Sequence, residues 1–193
     1  MSKTIKNPTK VITGKNTIMS YLNVNEPKVP LGGGTPKYSV SLIIPKSDTV
    51  TVAKIRAAIQ AAYEEGQSKL KGNSKFVPAL EDIKTPLRDG DKDRKGDEAY
   101  QNSWFVNANS TTKPGVVDAD RQPILDSSVL YSGIIGRASI NFYAFNSSGN
   151  RGIACGLNNI QKLSDGTPLG GHSRAEDDFA DLEEEEDEED FLS

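Results

Sequence analysis

The segment PLRDGDKDRKGDE, residues 86–98, contains the densest group of side chains that could do chemistry. Its carboxylates are close enough in sequence to hold Mg²⁺ for phosphodiester hydrolysis; they are Asp89, Asp91, Asp93, Asp97 and Glu98. Cationic residues are interleaved with them, namely Arg88, Lys92, Arg94 and Lys95. A calcium-binding EF-hand loop starting at Asp91 fails, because Lys95 would stand at the ligand position 5 and Asn102 at the position of the glutamate, 12. We therefore favour a charge-balanced loop, with a Mg²⁺-dependent nuclease as a less favoured alternative.

Other catalytic and metal-binding signatures are nearly absent from the sequence. The single histidine, His172, lies in a Gly-rich stretch, so a nucleophile would lack a rigidly held base. One histidine and one cysteine are too few for a zinc site. The stretch LGGGTPK has the glycines of a phosphate-binding loop but not its Gly-Lys-Ser/Thr ending. We expect a protein that is not an enzyme and that uses no metal or cofactor.

Binding of single-stranded nucleic acid explains more of these residues. Such binding needs cations along the phosphates and exposed aromatic faces on which bases stack. Residues 135–145 alternate like a strand, and they place Arg137 and Tyr143 opposite an apolar face. The residues expected to contact nucleic acid are Tyr21, Lys37, Arg88, Lys92, Arg94, Lys95, Phe105, Lys113, Arg137, Tyr143 and Arg151.

The aromatic residues also have a second interpretation, in which they only fill the core. We favour the core for Trp104 and Phe142, because both fall on the apolar face of their segment. We favour exposure for Phe105 and Tyr143, which fall on the more polar faces. Each stacked base would contribute about 1–3 kcal/mol, so two or three exposed rings would give useful affinity.

The charge distribution divides the chain into a basic body and an acidic tail. Twelve of the 27 Asp and Glu residues lie between Glu176 and Asp190, where there is no Lys or Arg. Residues 1–175 therefore hold 15 acidic and 23 basic residues, a net charge of +8, whereas the whole chain carries −4. This asymmetry is typical of a nucleic-acid-binding surface with an acidic appendage. A tail that only raises solubility is the alternative.

Strand-like alternation supplies a framework for these side chains. Residues 11–24 are predicted to be extended, with a bend near Gly14 and Asn16. The polar stretch 147–150 is typical of a hairpin turn. The segments with the period of a strand are 37–46, 100–109, 134–146 and 151–157.

One long helix interrupts the strands. Helical periodicity predicts it from Val50 to Leu70, with Ser47 or Asp48 as its N-cap and Gly72 just past its end. The predicted fold class is all-β with one added helix, a small closed or half-closed barrel with long polar loops. A parallel α/β sheet would need helices between most of the strands.

The chain is expected to have three parts. They are a body at 1–163, a Gly-rich linker at 164–175 and a disordered acidic tail at 176–193, where like charges repel. The sequence contains no apolar run long enough for a membrane span and no signal peptide, which predicts a cytoplasmic protein. Cys155 alternates with apolar residues and is expected in the core.

Several stretches, in this order along the chain, resemble phage-encoded single-stranded DNA-binding proteins built on an OB-fold. The resemblance covers nearly the whole chain, and the acidic terminus closing on Phe191 also looks like the tails of phage replication proteins of this kind. It implies a five-stranded OB-fold barrel that coats ssDNA during replication, recombination or repair in an infected bacterial cell. The stretches are VITGKNTIMSYLNVNEPK, KYSVSLIIPK, PLRDGD, SWFVNANSTTKPGVVD, QPI, YSGIIGRASINFYAFN and GIACGLNNIQKL.

The resemblance also implies a role for the tail. Tethered carboxylates would compete with DNA phosphates for the basic groove. A displaced tail would then offer Phe191 and Leu192 to a pocket on a phage or host replication protein. Formation of a homodimer through the added helix or loops stays open. An acidic-tailed chaperone or assembly factor is the alternative function, but it leaves the basic body without a role.

Overall fold

The computed structural model describes residues 7–169, which form one eight-stranded sheet and three helices. The predicted acidic tail lies outside the described residues. The strands are β1 (Lys10–Ile12), β2 (Thr17–Lys28), β3 (Lys37–Pro45), β4 (Leu87–Asp89), β5 (Ser103–Ser110), β6 (Gly115–Val117), β7 (Ile135–Ser147) and β8 (Asn150–Ser164). The helices are α1 (Thr49–Glu65), α2 (Gln67–Lys71) and α3 (Gly90–Asp93). Within residues 7–169, no helix combines the length and the apolar character needed to cross a membrane.

Five of the strands close into a ring. β2 pairs with β3, β3 with β5, β5 with β8, β8 with β7, and β7 again with β2. Of these five pairings, only β5–β8, which meets at Asn109 and Gly156, is parallel. β1, β4 and β6 attach to β7, β5 and β8. The ring confirms the predicted mainly β fold with five principal strands, and ring closure leaves these strands few unpaired edges.

Alternation along the strands explains why the ring has a filled interior. In β3 the side chains of Val40, Leu42 and Ile44 are buried in the main core, one residue apart from the polar Ser39 and Ser41. Because successive side chains point to opposite faces of a sheet, closing the sheet buries one apolar face of every strand. Sequence periodicity therefore predicts which residues lie inside.

Cys155 belongs to this interior, as its apolar pattern predicted. The side chain is buried in the main core cluster. Burial away from water disfavours the thiolate, so the pKa of the Cys155 thiol is raised well above its ordinary value. A protonated buried thiol behaves as a small apolar side chain.

Helix α1 packs against β7, β1 and β8 and adds its apolar side to the main core. Asp48 is its N-cap and accepts a hydrogen bond from the backbone N–H of Thr51 at 3.1 Å. The predicted helix is divided at Gly66, where α1 ends and the short α2 begins. A Cβ atom at Gly66 would collide with the Cβ of Ala144 on β7, so the close approach of helix and sheet requires glycine here.

Two local irregularities match the sequence. The extended segment 11–24 forms two strands, β1 and β2, that are separated by a turn around Gly14. The β7–β8 hairpin turns at Ser148 and Gly149, whose φ angles of 52° and 89° are those of a two-residue type I′ turn. The hairpin turn at 147–150 is therefore confirmed.

The sequence predicted a loop at residues 86–98, but this connection contains secondary structure. Residues 87–102 run outside the ring and contain β4, α3 and a turn of 3₁₀ helix at Glu98–Tyr100. β4 pairs with β5, and Asp89 caps α3 by accepting from the backbone N–H of Asp91 at 3.0 Å. We call residues 90–102 the covering segment, because they lie over part of the outer face of β3 and β5.

Candidate nucleic-acid interface

The outer face of β3 and β5 has an open part and a covered part. In the open part, Ser39 lies opposite Asn109, and Asn107, two residues earlier in β5, is exposed. Asn23 of β2 joins them, because its Nδ2 donates to Ser39 Oγ at 3.2 Å. We call these four residues the open face. Their amides and hydroxyls can donate and accept hydrogen bonds without adding negative charge.

Strand pairing continues this polar surface around the ring. Asn109 is paired with Gly156 of β8, Gly156 with Asn141 of β7, and Asn141 with Lys10 of β1. Gly156 leaves room for its neighbour, since a Cβ there would lie 2.8 Å from Oδ1 of Asn141. A band of small or polar residues therefore follows the outside of the sheet from β2 to β1.

Two lysines stand at one edge of the open face. Lys28 at the end of β2 lies opposite Lys37 at the start of β3, and Lys37 points outward with Ser39. Like charges directly opposite in a sheet repel each other. Between residues 7 and 169 neither lysine has a carboxylate within 4.0 Å. A phosphate bound between them would relieve this repulsion.

Tyr21 forms an exposed aromatic platform beside the open face. The residue is 58% exposed, and its φ of 46° is unusual for a residue other than glycine. It lies in the β2 bulge between Ser20 and Asn23, where the register with β3 shifts. The bulge directs an aromatic side chain outward that regular alternation would have placed differently.

Arg94 of the covering segment holds this platform. Its guanidinium lies 5.2 Å from the centre of the Tyr21 ring, and its Nη2 donates to the Tyr21 hydroxyl at 2.7 Å. The same nitrogen donates to Asp97 at 3.0 Å. The hydrogen bond to Tyr21 raises the pKa of Arg94 further above its ordinary value, and the hydrogen bond to Asp97 does so to a smaller extent. A ring held in this way loses little side-chain freedom when a base stacks on it.

Phe105 corrects a prediction. Its alternation does place it on the outer face, but the side chain is only 2% exposed. It packs with Ile43 and with Tyr100, whose ring meets it edge to face at 5.1 Å between centroids. The expectation that Phe105 is exposed for base stacking is wrong, because Tyr100 of the covering segment lies on it. We call Ile43, Tyr100 and Phe105 the covered cluster.

The other aromatic expectations had mixed outcomes. Tyr143 is 43% exposed and Phe142 is buried, as the strand pattern predicted. Trp104 was expected in the core but is only half-buried. It sits at the end of β5, with the charged groups of Arg56 and Lys46 4.9 Å and 5.3 Å from its ring. The prediction for Trp104 failed because charged side chains, and not the apolar core, lie over its ring.

The predicted cations fall into two groups. Three already have partners within the body: Arg94 as above, Arg88 with Asp93 at 3.1 Å, and Arg151 with the hydroxyl of Ser74. The others are exposed or half-exposed at the surface, and along residues 7–169 none of them has an ion-pair partner; these are Lys37, Lys92, Lys95, Lys113 and Arg137. Their contact with nucleic acid stays a prediction.

The acidic residues of the 89–98 segment are shared among cations. Lys46 lies 2.9 Å from Asp89 and 2.7 Å from Asp91. Hydrogen bonds from Lys46 lower the pKa of both carboxyls, and the two carboxylates raise the pKa of Lys46. Over residues 7–169, no group of three or more His, Cys, Asp or Glu is arranged to hold a metal ion. Two of the interleaved cations, Arg88 and Arg94, also form ion pairs, with Asp93 and Asp97, which agrees with the charge-balanced loop that the sequence favoured.

Residues of the open face were missed by the sequence reasoning. Asn23, Ser39, Asn107 and Asn109 gave a signal only as the polar half of each alternating strand. Which polar residues share one surface depends on strand register, which the sequence did not reveal. Phe191 and Leu192, the predicted docking residues, lie outside the described part of the chain.

A ring of five strands with a polar outer face, an exposed aromatic platform and nearby cations is the architecture of OB-type binding proteins. Residues 9–192 match the family model described as "Enterobacter phage Enc34, ssDNA-binding protein". This match spans nearly the whole sequence, and the chain belongs to that family.

Individual relatives agree with this assignment. The chain is 28% identical over 181 residues to "Putative protein p50" of Acyrthosiphon pisum secondary endosymbiont phage 1, covering 90% of this chain and 95% of that protein. The single-stranded DNA-binding protein from bacteriophage Enc34 in complex with ssDNA has a similar structure, with a TM-score of 0.67, 22% identity, and coverage of 88% and 97%. For gp2.5, encoded by bacteriophage T7, the TM-score is 0.54 at 18% identity, with coverage of 89% and 93%. The structural likenesses show a shared fold.

Proposed function

We propose that this protein binds single-stranded DNA without sequence preference during phage DNA replication, recombination or repair. Membership of the Enc34 ssDNA-binding family supports the ligand class. The observation that carries the binding surface is the exposed Tyr21 ring, held by Arg94 at the border of the open face. Since every base has a π-face, stacking on Tyr21 accepts any sequence.

The phosphates need cations along the same surface. Lys28 and Lys37 are the best candidates, because they form an uncompensated pair on the outward side of β2 and β3. Lys92 and Lys95 lie in the covering segment, as Arg94 does, and both are exposed. Each phosphate neutralised should contribute about −0.7 to the slope of log affinity against log salt for a single strand.

The test of this surface is the Tyr21→Ala variant. We expect ssDNA binding to weaken by about 1–3 kcal/mol, the contribution of one stacked base. Anisotropy of a labelled oligo-dT at fixed salt measures this directly. Phe76→Ala is the control, since Phe76 is 80% exposed but follows α2 rather than the open face. Equal affinities for wild type and Tyr21→Ala would remove Tyr21 from the interface.

The acidic tail is part of the proposal, on the evidence of its charge. Twelve carboxylates joined to a basic body compete with DNA at high effective concentration. A chain ending at residue 175 should therefore bind oligo-dT more tightly than the full chain, most clearly at low salt. Phe191 and Leu192 would serve as the apolar anchor for a phage or host replication protein. Unchanged affinity after truncation would leave the tail only a solubilising or docking role.

A further inference from the structure

A second surface suited to anions lies away from the open face. It is a groove between α2 and the β7–β8 hairpin, and we call it the hairpin groove. Within the described part of the chain its lining contains no carboxylate. The polar and charged side chains in that lining are Lys69, Asn73, Asn146, Ser148 and Arg151.

Arg151 gives the hairpin groove an uncompensated charge. One of its terminal nitrogens donates to the hydroxyl of Ser74, but its Nε is buried and has no acceptor among residues 7–169. Over the same range it has no carboxylate within 4.0 Å. A guanidinium with five donors and no anionic partner favours a bound anion nearby.

The negative end of α2 does not cancel this charge. The backbone carbonyl of Lys69 accepts a hydrogen bond from Asn146 Nδ2 at 3.0 Å, which satisfies one of the unpaired carbonyls of the last turn. The Lys69 side chain remains exposed. The hairpin groove therefore presents two cationic side chains, Lys69 and Arg151, and the side-chain amide of Asn73.

The groove lies beyond the hairpin end of the polar band along β7. Asn141 and the exposed Tyr143 face outward, whereas Asn146 alternates with Ala144 and faces α2, where it contacts the carbonyl of Lys69. At a rise of about 3.3 Å per residue, the five steps from Asn141 to Asn146 span roughly 17 Å. A DNA strand lying on the band must therefore extend past the hairpin end to reach the groove.

We propose that the hairpin groove binds a backbone phosphate of the same ssDNA that occupies the open face. The body then contacts a long strand at two separated places and a short strand at only one. This inference rests on the proposed ssDNA binding and adds a second contact for the phosphodiester backbone.

The experiment compares Lys69→Gln with Lys71→Gln in the full chain. Both lysines are exposed on α2, but only Lys69 lines the groove. Binding is measured with labelled oligo-dT of increasing length, at several salt concentrations. For long strands, Lys69→Gln should weaken binding and reduce the magnitude of the log–log salt slope by about 0.7, the value for one phosphate contact. Short strands should bind Lys69→Gln and wild type equally, and Lys71→Gln should match wild type throughout.

Two results would overturn the inference. One is an unchanged affinity and salt slope of Lys69→Gln at every length, while Tyr21→Ala still weakens binding; ssDNA binding would then stand without the groove. The other is a Lys69-dependent affinity for a synthetic peptide of residues 176–193, with no effect on long oligo-dT. That result would assign the hairpin groove to the acidic tail. Loss of the Tyr21→Ala effect would instead count against the proposed open-face site itself.

Discussion

Tyr21 and Phe105 are aromatic residues on the outer surface of the same ring, yet their environments are opposite. Tyr21 is 58% exposed and is held by Arg94, which lies over its ring and donates to its hydroxyl. Phe105 is 2% exposed, with the Tyr100 ring packed nearly perpendicular to it and Arg88 5.2 Å from the ring centre. The covering segment makes both arrangements, since it supplies both Arg94 and Tyr100.

The contrast teaches that one connection divides the sheet face into two kinds of surface. Where Tyr100 lies on β3 and β5, the outer face becomes a second small core with Ile43 and Phe105. Beyond Tyr21, which contacts Arg94 of the covering segment, the outer face is open to solvent and carries polar side chains. Stability and binding are therefore expected to depend on different aromatic residues of one surface.

The largest expected effect is the loss of stability in Phe105→Ala. Removing a buried ring leaves a cavity between β5 and Tyr100, which should cost about 3–5 kcal/mol of unfolding free energy. Urea unfolding measures the loss. The folded fraction of Phe105→Ala should bind oligo-dT with nearly wild-type affinity. Tyr21→Ala is the matched comparison, with little loss of stability and weaker DNA binding.

The contrast between the two rings would fail if Phe105→Ala weakened oligo-dT binding at an unchanged unfolding free energy. Phe105 would then contact bases after displacement of the covering segment. Stability loss with retained affinity would sharpen the division between the open face and the covered cluster.

A smaller effect is expected from Tyr100→Phe. The Tyr100 hydroxyl donates to Ser41 Oγ at 2.9 Å, and both side chains are buried. Removing it leaves the Ser41 hydroxyl without this donor and should cost about 1 kcal/mol. Amide hydrogen exchange should accelerate in residues 90–102, because the covering segment loses an anchor. Tyr63→Phe is the control, since its hydroxyl donates to the carbonyl of Pro78 at 2.8 Å, outside this segment. Equal acceleration in both variants would show that the effect is not specific to the covering segment.

The smallest effect concerns pH and the ion pairs of Lys46. The pKa values of Asp89 and Asp91 are lowered from 3.8 in the folded protein, so their stabilisation is complete above that value and is lost as pH falls through the lowered pKa. The pKa of Lys46 is raised from 10.5, so its stabilisation is present below that value and disappears as pH rises through the raised pKa.

Lys46→Gln tests these ion pairs. Without the lysine, stability should depend less on pH at the acid end, where the two carboxyls titrate. The change should be slight, because the groups lie at the surface, where water and salt screen the ion pairs. Urea unfolding from pH 2 to pH 5, roughly the range of carboxyl titration, measures it for both proteins. Superimposable stability profiles would show that the ion pairs do not stabilise the covering segment.

Much of the fold follows from local patterns in the sequence. Alternation in residues 37–46 and 134–146 predicted strands and their buried faces, and the chemistry of residues 147–150 predicted the hairpin turn. Cys155 was placed in the core correctly. These features depend on neighbours two or three residues apart, and strand period and turn preference act at that range.

The sequence by itself also determined the two charge classes, a basic body and an acidic tail, because charge adds along the chain whatever its fold. Only the tertiary structure decided which outward residues are covered. Arg94 reaches Tyr21 across 73 residues of sequence, and Tyr100 reaches Ser41 across 59. Alternation tells which side of a strand a residue is on. It does not tell whether a distant segment packs over that side, because packing depends on the relative positions of whole elements.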